Sequence, residues 1–186
     1  VLNKDLTFQA VTAQNVSNVL YRLVMQNSIV LDDEKVYTFR QFEAEEQTAA
    51  MIARRILYPM ESLDVETELV QAQKVLRITL SEKQKQAVRM VFANPISIIT
   101  GGPGTGKTTV LKVILYIHGM KCKSEVQLMA PTGRAARRMA ESTGNQNAST
   151  MHMALGLLGE DYTAEFAYLE AGFVNVDETS MVDMRL

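Results

Sequence analysis

Apolar positions recur at helical spacing near the start of the chain. Val16, Val19, Leu20, Leu23 and Val24 form one stripe of a segment from Asn15 to Met25, so the pattern predicts an amphipathic helix with that stripe buried. Ser28-Ile29-Val30-Leu31 and Val36-Tyr37-Thr38-Phe39 flank the polar run Asp32-Asp33-Glu34-Lys35, which reads as two short strands around a hairpin turn. Gln41 to Leu57 returns to helical period, with Phe42, Ala49, Ile52, Ala53 and Ile56 inward, Glu43, Glu45 and Glu46 outward, and Pro59 as the stop. Helix, hairpin and helix predict a small, mostly helical, winged-helix-like module over residues 1–60. Its wing tip carries three acids and one lysine, which disfavours phosphate and points to packing or partner contact. Glu61 to Lys74 is polar with an acidic start suited to a helix N-terminus, and the module boundary is expected in a linker over 61–75.

The pattern changes after residue 75. A helix opens at Leu80-Ser81-Glu82-Lys83-Gln84, with Ala87, Val88, Val91 and Phe92 on its apolar side, and ends at Asn94-Pro95. The apolar run Ile96-Ser97-Ile98-Ile99-Thr100 predicts a strand, and Lys107 to about His118 a helix, closed at Gly119 by a left-handed cap. Glu125 to Ala130 suits a second, buried parallel strand. Pro131-Thr132-Gly133 turns it into a helix bearing Arg134, Arg137 and Arg138; a polar loop follows over Ser142 to Ser149. Thr150 can cap a short helix holding His152, Leu155 and Leu157, and Phe173-Val174-Asn175-Val176 is a further strand. Strands alternating with helices over 76–186 predict an α/β fold with a parallel sheet. There is no internal repeat and no low-complexity tract.

Composition refines this picture modestly. The net charge of −2 argues against a broadly basic nucleic-acid coat. Residues 1–75 hold 7 Lys/Arg against 11 Asp/Glu, and 76–186 hold 12 against 10, so any nucleic-acid contact must be local. Cys122 is the only cysteine; it cannot form an internal disulfide and lacks zinc-site spacing, in keeping with a reducing compartment. No run approaches membrane-spanning length and no signal segment opens the chain, so a soluble, cytoplasmic location without membrane contact is expected.

The strongest chemical signal is Gly101-Gly102-Pro103-Gly104-Thr105-Gly106-Lys107-Thr108-Thr109, a glycine, four free positions and Gly-Lys-Thr after a strand-like run. Glycines let consecutive N–H groups curl around a phosphate, and the following helix presents its positive end to the same anion. Lys107 would hold the β and γ phosphates and the Thr108 hydroxyl would ligate Mg²⁺. Downstream, an apolar run ends in Asp177-Glu178; in this context Asp177 would hold Mg²⁺ and Glu178 would activate the attacking water. Gln84 stands three residues after Ser81 and so completes a capping box, while its amide also matches the donor and acceptor on an adenine edge. Thr132, the turn amides and Arg134 lie where a strand's carboxyl end meets a helix, a place where open α/β sheets bind ligands; Arg137 can equally pair with Glu141. A lone histidine such as His152 is more commonly a structural hydrogen-bonder.

Taken together these segments resemble a known family. Leu80 to Gln84 with Ala87-Val88 looks like the Q motif of superfamily-one helicases, and residues 101–109 look like their motif I. Ala130-Pro131-Thr132-Gly133-Arg134-Ala135-Ala136-Arg137-Arg138 is similar to motif Ia, Ser149-Thr150-Met151-His152 to the segment after it, and Val176-Asp177-Glu178-Thr179-Ser180-Met181-Val182-Asp183 to motif II. Four ordered motifs in about 105 residues resemble the RecD-like helicases, the group of the exodeoxyribonuclease V alpha subunit, and the opening 75 residues resemble the accessory region of the stand-alone branch. The resemblance implies a first RecA-like P-loop domain over 76–186, incomplete as it stands, in a motor that hydrolyses ATP with Mg²⁺, moves five-prime to three-prime on single-stranded DNA and works beside nuclease or helicase subunits in recombination and repair. It implies adenine recognition by Gln84, nucleotide contact along Gly102, Pro103, Gly104, Thr105, Gly106, Lys107, Thr108 and Thr109, and DNA contact by Pro131, Thr132, Gly133, Arg134 and His152.

Two positions depart from the family pattern, Thr179 where alanine is usual and Met151 where isoleucine is common; neither is a proposed catalytic group. The sequence stops at Leu186, ahead of the later motifs and the arginine finger, so this stretch by itself is expected to bind Mg·ATP, hydrolyse it slowly and not unwind DNA. The alternatives are another P-loop ATPase, such as an AAA-type remodeller, or a non-catalytic nucleotide- or DNA-binding module.

Overall fold

The computed structural model describes residues 11–157 and 169–183. Two compact units divide between Ile52 and Ala53.

In the first unit, Thr12 caps α1 (Ala13–Met25) by accepting the Asn15 N–H at 3.2 Å. β1 (Ile29–Asp32) and β2 (Lys35–Thr38) pair antiparallel, Ile29 opposite Thr38 and Asp32 opposite Lys35, with Asp33 at φ 52 in the turn. α2 (Phe39–Leu57) begins directly after β2, where Tyr37 packs edge-on against Phe42 at 5.8 Å. One expectation fails here. The apolar stripes of α1 and α2 were expected to be buried, yet neither helix has a buried residue; Val16 is 47% and Val19 49% exposed. A hairpin of two four-residue strands offers too little surface to cover two helices.

The second unit holds a three-stranded parallel sheet of order β4 (Ala148–Thr150), β3 (Val126–Ala130), β5 (Phe173–Val176). Its helices are α3 (Glu66–Leu76), α4 (Glu82–Ala93), α5 (Lys107–Lys121), α6 (Gly133–Thr143) and the single turn α7 (Met151–Ala154). α5 is the centre of the packing. On one side Val110, Val113, Ile114 and Ile117 join Leu69 and Ala72 of α3 and Val88 and Phe92 of α4 in one core. On the other, Leu111 and Leu115 pack against Leu128 and Ala130 of β3 with Ala135, Ala136 and Met139 of α6. The mixed helices and parallel sheet are those of a partial P-loop α/β fold.

Several local expectations are corrected. Ile96 to Thr100 is not a strand: it has no ladder hydrogen bonds among the described residues, and Ile98 is 77% exposed. An apolar run becomes a strand only where a neighbour accepts its backbone bonds. Within 61–75, the stretch read as a linker, α3 packs Leu69 and Ala72 against α5, and Val65 just ahead of it is also buried. Gly119 is no cap; α5 runs on to Lys121, and the left-handed residue is Lys123, at φ 51. Within the loop expected over 142–149, Ala148 begins a strand of three residues, too short to show a period.

Candidate functional site

The glycine-rich loop lies between Thr100 and the start of α5. Gly106, at φ 85, is the N-cap, and Gly104 is also left-handed at φ 74, a region closed to most side chains. The loop is closed by its own bonds: the Gly102 carbonyl accepts from Thr105 Oγ1 at 2.8 Å and from Lys107 Nζ at 3.1 Å, and the Gly101 carbonyl also accepts from Lys107. Lys107 and Thr108 are exposed, and a Cβ at Gly102 or Gly104 would meet nothing within 4 Å. This is an uncovered, amide-rich helix N-terminus with one exposed cation on it, which suits a polyphosphate.

Gln84 joins this loop from α4. Its Oε1 accepts the Ser81 N–H at 2.9 Å, completing the capping box with Ser81 Oγ. Its Nε2 donates to the Thr105 carbonyl at 3.0 Å. The sequence showed the cap; the reach to a loop 21 residues away carried no local signal. Each polar atom of the amide makes one bond here, which leaves one Nε2 hydrogen and one Oε1 lone pair over.

All three parallel strands finish on one edge. Ala130 is in register with Thr150, and Met129 with Val176, whose successor Asp177 donates its N–H to the Met129 carbonyl at 2.9 Å. Asp177 and Glu178 are exposed. Asp177 Oδ1 accepts the Glu178 N–H at 2.9 Å, and Glu178 sits at φ 52 ahead of a 3-10 turn, Thr179–Met181. A left-handed glutamate is costly locally. At the far end of α5 the ring of His118 lies 5.3 Å from that of Phe173, the first residue of β5, while Leu111, nearer the loop, packs against the cluster of Leu128, Ala130, Ala135, Ala136 and Met139. Among the described residues no bond joins Asp177 or Glu178 to Lys107 or Thr108, and no three His, Cys, Asp or Glu side chains converge on a cation.

The residues singled out for DNA gather on the same edge. Thr132 caps α6 by accepting the Ala135 N–H at 3.2 Å, and Thr150 caps α7 through the Met153 N–H at 3.2 Å. A Cβ on Gly133 would stand 3.9 Å from Thr150 Cγ2, so the two turns adjoin. A groove of about 270 Å³ runs past Gly133, Arg137, Ser149 and Thr150. Arg134 is exposed and Pro131 and His152 are half-buried. Arg137 does pair with Glu141, at 3.3 Å.

Arg89 chelates Glu66 between α4 and α3, and this bond holds the carboxyl below its ordinary range. His118 is 3% exposed; its Nε2 meets Ser124 Oγ at 3.1 Å, its Nδ1 has no partner among the described residues, and burial lowers its pKa. Burial likewise raises the Cys122 thiol.

The family model described as an AAA domain matches residues 84–186. The RecBCD enzyme subunit RecD of Haemophilus influenzae is 40% identical over 126 residues, which is 54% of this chain and 20% of that protein. The ATP-dependent RecD2 DNA helicase of Deinococcus radiodurans is 43% identical over 83 residues, 45% of this chain and 11% of that protein. RecBCD enzyme subunit RecD of Buchnera aphidicola subsp. Schizaphis graminum is 31% identical over 183 residues, 84% of this chain and 29% of that protein. The chain therefore spans less than a third of the length of each of these relatives.

Proposed function

The chain belongs to the AAA-domain family, whose model matches 84–186 of its 186 residues, and on that premise we propose that it carries the ATP-binding half-site of a RecD-like DNA helicase of recombination and repair. The observation that supports the reading is a pair of exposed features on one α/β unit: the Gly-Lys-Thr loop that opens α5, and Asp177 and Glu178 directly after β5. The amides of 102–106 and the α5 N-terminus receive the polyphosphate, and Lys107 moves from its loop carbonyls onto the β and γ phosphates.

Exposed Thr108 and Asp177 supply hard oxygen donors of the kind Mg²⁺ takes. An ion held by them would supply charge neutralisation on the phosphates. Glu178 orients and deprotonates the attacking water. Pro131, Thr132, Gly133, Arg134 and His152 contact the backbone of single-stranded DNA, along which the whole protein moves five-prime to three-prime. Similarity to RecD and RecD2 proteins favours this over an AAA-type remodeller, and the intact Lys107, Thr108, Asp177 and Glu178 favour it over a binding module without turnover. Two of those relatives are subunits of the RecBCD enzyme, so nuclease or helicase partners and a cytoplasmic setting belong to the same proposal.

The test is a titration of Mg·ATP into this chain and a turnover assay on the full-length parent. Lys107→Ala should weaken ATP binding roughly tenfold to a hundredfold, as expected for a charged hydrogen bond. Glu178→Gln should bind ATP and lose DNA-stimulated turnover. Unchanged turnover in Glu178→Gln would remove that residue from its role, and ATPase indifferent to single-stranded DNA would favour the remodeller.

A further inference from the structure

We propose that Gln84 is a positioning residue of the phosphate loop, acting through the Thr105 carbonyl whether or not a nucleobase is bound. This rests on the nucleotide-binding reading above and goes beyond the adenine-edge role that the family resemblance implies.

Three observations converge. The Gln84 amide is held at both ends, Oε1 by the Ser81 N–H at 2.9 Å and Nε2 on the Thr105 carbonyl at 3.0 Å. The capping box therefore fixes the side chain, and the fixed side chain fixes the loop. Second, the space is fitted to it: a Cβ at Gly106 would stand 2.5 Å from Gln84 Nε2. The glycine thus admits the amide as well as the left-handed turn. Third, a trans peptide is planar, with its C=O and N–H pointing in opposite directions. Holding the Thr105 oxygen toward α4 aims the Gly106 N–H away from α4, and that N–H is one of the donors assigned to the phosphates. Without the Gln84 donor this peptide is free to rotate, and the anion loses an aimed amide. The second Nε2 hydrogen is left over, so a base can be met without releasing the loop.

The discriminating probe is an anion without a base. Inorganic tripolyphosphate and ATP, each with Mg²⁺, would be titrated calorimetrically into the chain and three variants. Gln84→Glu keeps the acceptor for Ser81 and removes the donor, and Gln84→Met removes both without adding charge. Ser81→Ala weakens the cap and leaves the bond to Thr105. Both Gln84 variants should weaken tripolyphosphate about threefold to tenfold, the net worth of one hydrogen bond, and weaken ATP by the same factor. All three variants should melt lower than the parent, and only Ser81→Ala should bind tripolyphosphate normally.

Loss of ATP affinity alone would show that the amide reads only the base and would overturn the proposal. So would a loss in Gln84→Glu without one in Gln84→Met, which is charge repulsion, or an equal loss in Ser81→Ala, which is the cap. Failure of the parent chain to bind either ligand would instead overturn the nucleotide-binding reading itself.

Discussion

Replacing Gly106 by alanine tests the loop's architecture without any ligand. Gly106 sits at φ 85, and forcing an L side chain into the left-handed region costs about 1–2 kcal/mol. The new Cβ would also stand 2.5 Å from Gln84 Nε2, so the amide must leave the Thr105 carbonyl, at a cost of about 1 kcal/mol. Gly106→Ala should therefore lose roughly 2–3 kcal/mol in urea unfolding followed by circular dichroism, as the sum of those two effects. A double-mutant cycle separates them. Gln84→Ala breaks the same hydrogen bond, so the combined variant should be less unstable than the sum of the singles by about 1 kcal/mol. A loss under about 0.5 kcal/mol, the size of an ordinary surface change, would refute the strain. Additivity within about 0.3 kcal/mol would refute the Gln84 contact.

Burial at His118 predicts a pH dependence, since its ordinary pKa is about 6.5 and the fold holds it lower. Between the two values the unfolded chain binds a proton that the folded one does not, so stability is full above about pH 6.5 and falls below it. Its neighbours Ser124 and Phe173 do not titrate there; urea midpoints from pH 7.5 to 5.5 should flatten in His118→Leu, and an unchanged slope would place the effect elsewhere. Arg134→Ala in the full-length parent should weaken single-stranded DNA binding similarly for all sequences and reduce the slope of log affinity against log salt by about 1, with sequence-selective loss contradicting backbone contact.

How much was legible in the sequence depended on the range of the forces involved. The period of α1, α2 and α4, the caps at Ser81 and Thr150, and the buried strand ending at Ala130 are local properties, and each was readable within a few residues. The order of motifs from Gln84 to Glu178 was readable because phosphate chemistry fixes spacing. Pairing was not. Ile96 to Thr100 has the composition of a strand and lacks a neighbour, whereas Ala148 to Thr150 has little strand character and finds one in β3. Gln84 shows the same divide at a single residue, its cap being local and its bond to Thr105 tertiary. Burial was misjudged for α1 and α2 because an amphipathic stripe states a demand for cover without saying what supplies it.

α5 is gripped by packed side chains along both flanks, from Val110 to Ile117 on one and at Leu111 and Leu115 on the other. Fifteen residues make a rod of about 22 Å, so the glycine-rich loop and the contact between His118 and Phe173 sit at opposite ends of one helix packed along both flanks.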